Sequence, residues 1–292
     1  MTILDAAAVS GGPDLLAPET RLGPVELTVT DLERSLRYYE TSIGLQLHER
    51  DGSRAALGAG GEDVVVLVEQ PDARPAGRHA GLYHFCLLHP SRLELARAAQ
   101  RLALTRTPIT GASDHGTHEA IYLPDPDGNG IELAADRPRA EWPEPIFTAG
   151  GPDPLDVHGL LSLVAAEPEP PPYVAPGLSV GHVHLHVGDL AAAIRFYRDV
   201  VGFELRFAMP SAAFLSAGGY HHHVGVNTWR GESVPPVPEG AVGLRRFTVI
   251  LRDAAELAAL RGRVESAGAA SEETPAGLLL RDPAGNALLL RA

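Results

Sequence analysis

Cysteine is almost absent from this chain of 292 residues, and its acidic residues outnumber its basic ones. The single cysteine, Cys86, excludes an intrachain disulfide framework and is typical of a reducing compartment, so we expect a cytoplasmic location. The formal net charge of −13 makes nucleic acid and anionic membranes poor partners. No apolar run is as long as a membrane helix, and residues 1–20 lack the pattern of a secretory signal.

Several common catalytic motifs are missing as well. The sequence contains no glycine-rich loop that would cradle phosphate, no recognisable Ser-His-Asp arrangement and no Cys-x-x-Cys pair. The chain of 292 residues is long enough for two domains. Its hydrophobic content of 45% is sufficient for each domain to have its own core.

An internal repeat organises the chain. Residues 25–39 (VELTVTDLERSLRYY) recur as residues 183–197 (VHLHVGDLAAAIRFY). Each copy begins with alternating apolar and polar residues, which predicts a strand, and continues through an aspartate that is well placed to cap a helix. The aspartates are Asp31 and Asp189, and we expect the helices to end near Gly44 and Gly202.

A finer repeat divides each half again. The segments 81–88 (GLYHFCLL) and 243–250 (GLRRFTVI) each begin a further strand, and each is followed by a predicted helix, at about 91–104 and 253–267. Four strand-helix-strands units therefore follow one another, and we number them modules one to four. This order predicts an α+β fold of four βαβββ modules, paired into two curved half-barrel domains.

The predicted boundaries are an N-terminal segment at 1–20, a first domain at 21–136, a connector at 137–176 and a second domain at 177–292. Modules one and two make up the first domain, and modules three and four the second. The connector carries ten prolines, a composition that cannot continue a sheet. Within it we predict a short helix over 155–164, with Asp153 as its cap and Pro154 in its first turn.

Residues 115–132 (HGTHEAIYLPDPDGNGIE) hold the most specific motif. A histidine, a tyrosine and a glutamate stand at fixed spacing around an Asp-Pro-Asp-Gly turn. Strand residues of like parity share a face, so Tyr122 before the turn can point to the same cavity as Glu132 after it. Such a set suits a metal with a proton-transfer group better than it suits a hydrophobic core.

This motif closely resembles the signature of type I extradiol ring-cleavage dioxygenases, although Ser113 stands where that signature prefers other small or β-branched residues. The modular pattern resembles the vicinal oxygen chelate superfamily, and it is most similar to two-domain catechol 2,3-dioxygenase-like proteins of bacteria. Besides the repeat, residues 81–85 (GLYHF), 125–132 (DPDGNGIE) and 218–223 (GGYHHH) carry the match. The resemblance covers nearly all of the chain except the N-terminal segment and the connector.

The resemblance implies a set of metal ligands on the first and last strands of the modules. His84 and Glu132 take these positions in module two, and His182 takes the first position in module three. Two histidines and one carboxylate form the facial arrangement that suits iron(II), with manganese(II) or another divalent metal as an alternative. His84 alone would more often be a structural histidine on an apolar strand, and the joint match carries the prediction.

The outer modules, one and four, have no metal-binding side chain at the corresponding positions. These positions hold Pro24 in module one and Arg246 and Leu289 in module four. If the three predicted ligands share one ion, module two must pack against module three. The simpler alternative pairs modules one with two and three with four, and would leave an incomplete ligand set in each half-barrel. We favour the cross-paired arrangement because the alternative leaves these residue identities unexplained.

For proton transfer the resemblance points to His115 and Tyr122, and to His223 in the histidine run. A neutral histidine near the metal can accept a proton from the substrate and later return it. By strand parity His221 faces the same side as His223, and His222 faces away as a structural residue. His184 and His221 are candidates for the substrate pocket.

The remaining histidines match no ligand position. His118, with its neighbour Glu119, is expected at an exposed loop, and the others are expected on the surface or in loops: His48, His79, His89 and His158.

The resemblance implies an iron(II)-dependent extradiol dioxygenase that acts on a small catechol-like aromatic substrate and O2. Two alternatives stay open. One is another metalloenzyme of the superfamily, either a thiol transferase or an isomerase similar to glyoxalase I, which usually has four ligands including two carboxylates. The other is a non-catalytic protein that binds aromatic or drug-like molecules. Barrel edges in the superfamily commonly associate, so a homo-oligomer is possible.

Overall fold

The computed structural model describes residues 15–146 and 151–292, and in that part of the chain the four predicted modules are present. The residues 1–14, and with them most of the predicted N-terminal segment, lie outside the described part. None of the described helices is long and apolar enough to cross a membrane.

Each module consists of a strand, a helix and three further strands. Module one contains β1 (Arg21–Val29), α1 (Leu32–Tyr38), β2 (Gln46–Asp51), β3 (Arg54–Gly58) and β4 (Asp63–Glu69). Module two contains β5 (Gly81–His89), α2 (Arg92–Leu104), β6 (Gly111–Asp114), β7 (His118–Pro124) and β8 (Gly130–Asp136). In the connector lie a short 3-10 turn (Arg139–Glu141), β9 (Asp153–Pro154) and α3 (Val157–Ser162).

The second half repeats this order. Module three contains β10 (Ser179–His186), α4 (Leu190–Arg195), β11 (Glu204–Met209), β12 (Ala212–Ser216) and β13 (Val224–Asn227). Module four contains β14 (Gly243–Ile250), α5 (Ala254–Ser266), β15 (Ser271–Thr274), β16 (Gly277–Arg281) and β17 (Ala287–Arg291).

The helix caps are where the sequence predicts them. The carboxylates of Asp31 and Asp189 accept hydrogen bonds from backbone N–H groups three residues later, each at 2.9 Å. After α1 and α4 the chain continues through one wider, π-helical turn and stops at Gly44 and Gly202. Both glycines have a left-handed backbone, with φ of 88° and 103°, which a residue with a Cβ rarely adopts.

The connector helix differs from its prediction. Asp153 and Pro154 form β9, which pairs with β6, and the helix begins only at Val157. Its cap is Asp156, whose carboxylate accepts a 2.8 Å hydrogen bond from the N–H of Gly159. A helix is therefore present in the predicted region. It begins later than predicted because Asp153 and Pro154 pair with β6 instead.

The strands form two curved mixed sheets, and each sheet takes one module from each half of the chain. The nine-stranded sheet has the order β11-β12-β13-β10-β5-β8-β7-β6-β9, and so joins modules two and three. The eight-stranded sheet has the order β15-β16-β17-β14-β1-β4-β3-β2, and so joins modules one and four. The cross-paired alternative is therefore the one observed. The predicted domain boundaries, 21–136 and 177–292, stay a prediction. Each sheet contains strands from both halves of the chain, so the sheets do not divide the molecule at these boundaries.

Packing within each half depends on the buried aspartate of the Asp-Pro turn. Asp125 accepts backbone hydrogen bonds from Asp127 and Asn129, and its other oxygen lies 3.2 Å from the hydroxyl of Tyr39 in module one. Asp282 and Tyr197 repeat this contact at 3.1 Å in the second half. The turn carboxylates are thus structural: they stabilise the turn and connect module two to module one and module four to module three.

Candidate metal centre

The three predicted metal ligands lie on adjacent strands of the nine-stranded sheet. His84 is on β5, His182 is on the antiparallel neighbour β10, and Glu132 is on β8, the parallel neighbour on the other side. The Nε2 atoms of both histidines are 3.1 Å from Oε2 of Glu132 and 3.2 Å from each other. All three side chains are buried. The structure therefore brings together the set that the sequence predicts.

The donor set suits a divalent metal. Three donor atoms separated by 3.1–3.2 Å can form one face of an octahedron around an ion about 2.2 Å from each, which is a normal length for such bonds. Burial would raise the pKa of Glu132, but charge and hydrogen bonds from His182, His118 and His84 hold it well below its ordinary value. A buried, ionised carboxylate among imidazoles needs a compensating cation, and a bound metal would supply it.

The outer modules carry no comparable set among the described residues. Pro24, Arg246 and Leu289 line a separate cavity of about 420 Å³ in the eight-stranded sheet. Arg246 is paired with Glu26 at 3.0 Å, so the position that corresponds to His84 already carries a fixed positive charge. The expected contrast between inner and outer modules is present in the geometry.

Strand register also shows where a fourth protein ligand would have been. In module two, Glu132 on the last strand lies opposite Cys86 on the first. The same register in module three places Gly225 opposite His184. Module three therefore lacks a side chain at the position where module two supplies its carboxylate.

Tyr122 and His115 form a hydrogen-bonded pair beside the set. Tyr122 lies directly opposite Glu132 on the neighbouring strand, as parity predicts, and its hydroxyl is 2.7 Å from Nε2 of His115. Burial, together with the charge of Glu132, raises the pKa of Tyr122, so its hydroxyl keeps its proton. Burial lowers the pKa of His115 to about 4, so the imidazole is neutral near pH 7.

His118 and Glu119 are buried, and the expectation of an exposed loop for them is wrong. His118 begins strand β7, its Nε2 lies 3.2 Å from Oε1 of Glu132, and its ring stacks on that of His115 at 4.5 Å. Glu119 is held by Arg92 at 2.5 Å. Sequence reasoning missed His118 because strand boundaries are poorly defined next to Gly116.

The histidine run is arranged differently from the parity prediction. Of the three rings, that of His222 lies nearest to a predicted metal ligand, with its centroid 4.1 Å from that of His182. Among the described residues, His223 is in no group of three potential ligand residues whose donor atoms lie within 4.8 Å of one another. The ring of His223 packs on Tyr220 and its Nδ1 accepts a hydrogen bond from the N–H of Ala217. The run precedes β13 and is not extended strand, so alternation does not apply to it.

His221 continues a column of stacked imidazoles. Its ring lies 4.5 Å from that of His118, which in turn stacks on His115. Its Nε2 is 3.2 Å from the carboxylate of Asp136, a residue that the sequence did not single out. His221 is therefore close to the centre, but its nitrogens are engaged by Asp136 and by His222.

A cluster of aromatic rings lies beside His84. Tyr83 is 41% exposed and Trp229 is 50% exposed, and their rings meet edge to face at 5.3 Å. Both rings contact His184, and Tyr83 also contacts His84. A small cavity of about 110 Å³ opens beside His84, Tyr83 and Tyr122. Nothing in the sequence distinguishes these two aromatic residues from ordinary strand and loop residues.

Among the histidines that match no ligand position, His89 is not on the surface or in a loop as predicted. It is buried at the end of β5 and neither ring nitrogen has a hydrogen-bond partner among the described residues, so it is not a surface residue. His48 is paired with Asp63 at 2.9 Å and takes no part in the centre.

Comparison with known proteins agrees with this geometry. A family model described as "Glyoxalase/Bleomycin resistance protein/Dioxygenase superfamily" matches residues 21–133 and 179–290. A protein of Bacillus subtilis (strain 168) named "Catechol-2,3-dioxygenase" is 41% identical over 281 residues, which cover 93% of this chain and 96% of that protein.

Solved structures show the same fold at low sequence identity. Glyoxalase I from Zea mays has a TM-score of 0.60 at 20% identity and covers 93% of this chain and 92% of its own. A putative dioxygenase from Bacillus subtilis subsp. subtilis str. 168 has a TM-score of 0.63 at 12% identity, with 96% of this chain and 86% of its own covered. At such identities the likeness concerns the fold alone.

Proposed function

The chain belongs to the glyoxalase/bleomycin resistance protein/dioxygenase superfamily, and we propose that it is an iron(II)-dependent extradiol dioxygenase that opens the ring of a catechol-like diol. The observation that carries the proposal is the buried set of His84, Glu132 and His182, with donor atoms 3.1–3.2 Å apart. Two histidines and one carboxylate on one face are the usual iron(II) set of oxygenases, because they leave coordination positions open. The name of the Bacillus subtilis relative supports the same reaction class.

Iron(II) held by His84, Glu132 and His182 would supply the redox chemistry that allows O2 to react with the diol. Manganese(II) has ligand preferences that overlap with this set, so the choice of iron rests on the reaction class.

The protein's own part is proton movement and the exclusion of water. A diol must lose protons in order to chelate, and the neutral imidazole of His115, hydrogen-bonded to the hydroxyl of Tyr122, is a partly buried candidate for proton exchange beside Glu132. On the far side His222 packs against His182 and is a second candidate for proton exchange. His222 is buried, and His115 and Tyr122 are partly buried, which limits the access of bulk water to the reacting atoms.

The register of module three favours ring cleavage over a glyoxalase-like isomerisation. An enzyme similar to glyoxalase I would be expected to use a fourth ligand and a second carboxylate, but Gly225 takes the position that corresponds to Glu132. The fold similarity to the maize enzyme does not supply the missing carboxylate.

The test is anaerobic loading of the purified protein with Fe(II), followed by addition of catechol and ¹⁸O-labelled O2. We expect a ring-opened hydroxymuconic-type product that carries both labelled oxygen atoms. The matched control is Arg246→Lys, because Arg246 occupies in module four the position of His84 in module two and should not be needed. An iron-loaded protein that consumes neither O2 nor any of a panel of catechols would contradict the proposal.

A further inference from the structure

One buried histidine next to the metal set has a nitrogen without a partner. His184 lies on β10 directly opposite His84, and the two rings meet edge to face at 5.2 Å. Its Nε2 is buried and has no hydrogen-bond partner among the described residues. Leaving a buried polar atom unpaired is costly, so such an atom calls for a ligand that would satisfy it.

The sheet makes room for this ring at one glycine. A Cβ on Gly225 would lie 2.9 Å from both Cγ and Cδ2 of His184 and 3.1 Å from its Nδ1, all closer than normal contact. The backbone of Gly225 is not in the left-handed region, so the strand itself does not require glycine there. Space for the imidazole is the remaining reason for a residue without a side chain.

The other modules support this interpretation. At the same register they carry a side chain on the last strand: Val66 opposite Glu26, Glu132 opposite Cys86, and Leu289 opposite Thr248. At this register, module three alone among the four described modules has an imidazole on its first strand opposite a glycine on its last. The ring of His184 therefore lies against the position from which a fourth metal ligand would have projected.

Aromatic rings hold His184 in this orientation. Tyr83 meets its ring edge to face at 5.2 Å, Trp229 lies at 5.2 Å and Phe214 at 5.6 Å. The ring atoms nearest to Gly225 are Cγ, Cδ2 and Nδ1, so the Cγ end of the ring faces the glycine and Nε2 lies farther from it. Tyr83 and Trp229 are partly exposed, so a flat aromatic molecule from solvent can stack on their rings.

We propose that His184 is a substrate-binding residue whose Nε2 forms a hydrogen bond with an oxygen of the aromatic diol, and that Gly225 determines specificity by leaving room for the imidazole. This inference rests on the proposed function and assigns a second recognition element to the same site. The diol would lie between Tyr122 on one flank of His84 and His184 on the other, with its ring against Tyr83 and Trp229.

The experiment measures binding of 4-nitrocatechol to the Fe(II)-loaded protein under anaerobic conditions, by the change in its absorbance. We expect His184→Phe, which keeps the ring but loses the nitrogens, to raise Kd about 10-fold, as the loss of one hydrogen bond would. His184→Gln, whose amide reaches about as far as Nε2, should stay within about 3-fold of the parent. Gly225→Ala should weaken binding like His184→Phe, since it displaces the ring.

The control is His89→Phe, another buried histidine without partners, which should leave Kd unchanged. Iron content is measured for each variant and should equal that of the parent, which separates substrate binding from metal retention. In turnover we expect KM for catechol to rise about 10-fold in His184→Phe while kcat changes much less.

The two possible failures are distinguishable. If the parent protein neither retains iron nor turns over catechol, the proposed function is wrong. If the parent is active but His184→Phe binds 4-nitrocatechol as tightly as the parent, only the inference about His184 is overturned.

Discussion

Nε2 of His118 lies 3.2 Å from Oε1 of Glu132, while the other oxygen of the same carboxylate faces His84 and His182 at 3.1 Å. Both side chains are buried, and the hydroxyl of Thr117 lies 2.9 Å from the other ring nitrogen of His118. His118 is therefore placed to orient the carboxylate through the oxygen that does not face His84 and His182.

We predict that His118→Phe weakens Fe(II) binding by about 10- to 100-fold, because groups that orient a ligand commonly contribute that much. A competition titration with a colorimetric chelator measures the change. His115→Phe is the matched control, since His115 stacks on His118 but is bonded to Tyr122 instead of Glu132. Equal affinity in the parent and His118→Phe would show that the contact does not support the metal.

Tyr122→Phe should lower kcat by about 100-fold, because general acid–base groups commonly contribute 10²–10⁴-fold. The change removes the hydroxyl that bonds His115 but leaves the ring beside His84 in place. Iron content should stay normal, which steady-state kinetics and metal analysis check together. A variant that turns over at the parent rate would limit Tyr122 to filling the cavity.

The histidine run offers a contrast between neighbours. We expect His222→Phe to reduce kcat at least about 10-fold, because His222 packs against His182, whereas His223→Phe should change kcat less than about 3-fold. His223 instead packs on Tyr220, so its loss should appear in thermal unfolding. A large loss of kcat in His223→Phe and a small one in His222→Phe would contradict this prediction and support the role in proton transfer that the family resemblance implies for His223.

Much of the fold follows from local sequence patterns. Alternation and the repeat predict the modules, and Asp31 and Asp189 mark the helix starts, because caps and periodicity act over a few residues. The choice between the two ways of pairing modules depends on contacts between distant strands. Only the ligand identities argued for the observed pairing of β5 with β10.

The site could be predicted where residues lie within regular strands and not elsewhere. His84, Glu132 and His182 are interior strand residues, so repeat position and parity indicate where they lie in the sheet, while their role as metal ligands stays a prediction. His118 begins a strand and His222 lies in an irregular segment, so neither rule applies to them. Contacts such as that between Gly225 and His184 need the strand register, which a single sequence does not supply.

His89 provides a test of stability against pH. Burial, with Arg101 nearby, lowers the pKa of His89 to about 3, below its ordinary value of about 6.5. As pH falls below about 6.5, the unfolded chain takes up a proton that the folded protein excludes, so stability decreases until about pH 3. At about pH 5 this residue should cost the metal-free protein about 2 kcal/mol relative to pH 7.5.

His89→Leu should remove that loss. Urea unfolding of metal-free parent and variant at both pH values measures it, and the other histidines contribute equally to the two proteins. The variant should lose about 2 kcal/mol less than the parent on acidification. Parallel losses in the two proteins would mean that His89 is hydrated or paired in solution.

The central claim is that one metal ion is held by His84, Glu132 and His182 together. Anomalous diffraction at the iron edge, from crystals grown anaerobically with Fe(II), tests it most directly. We predict a single strong peak within about 2.0–2.4 Å of Nε2 of both histidines and of a carboxylate oxygen of Glu132. An iron peak elsewhere, for example in the histidine run at 221–223, with these three side chains unbound would contradict it.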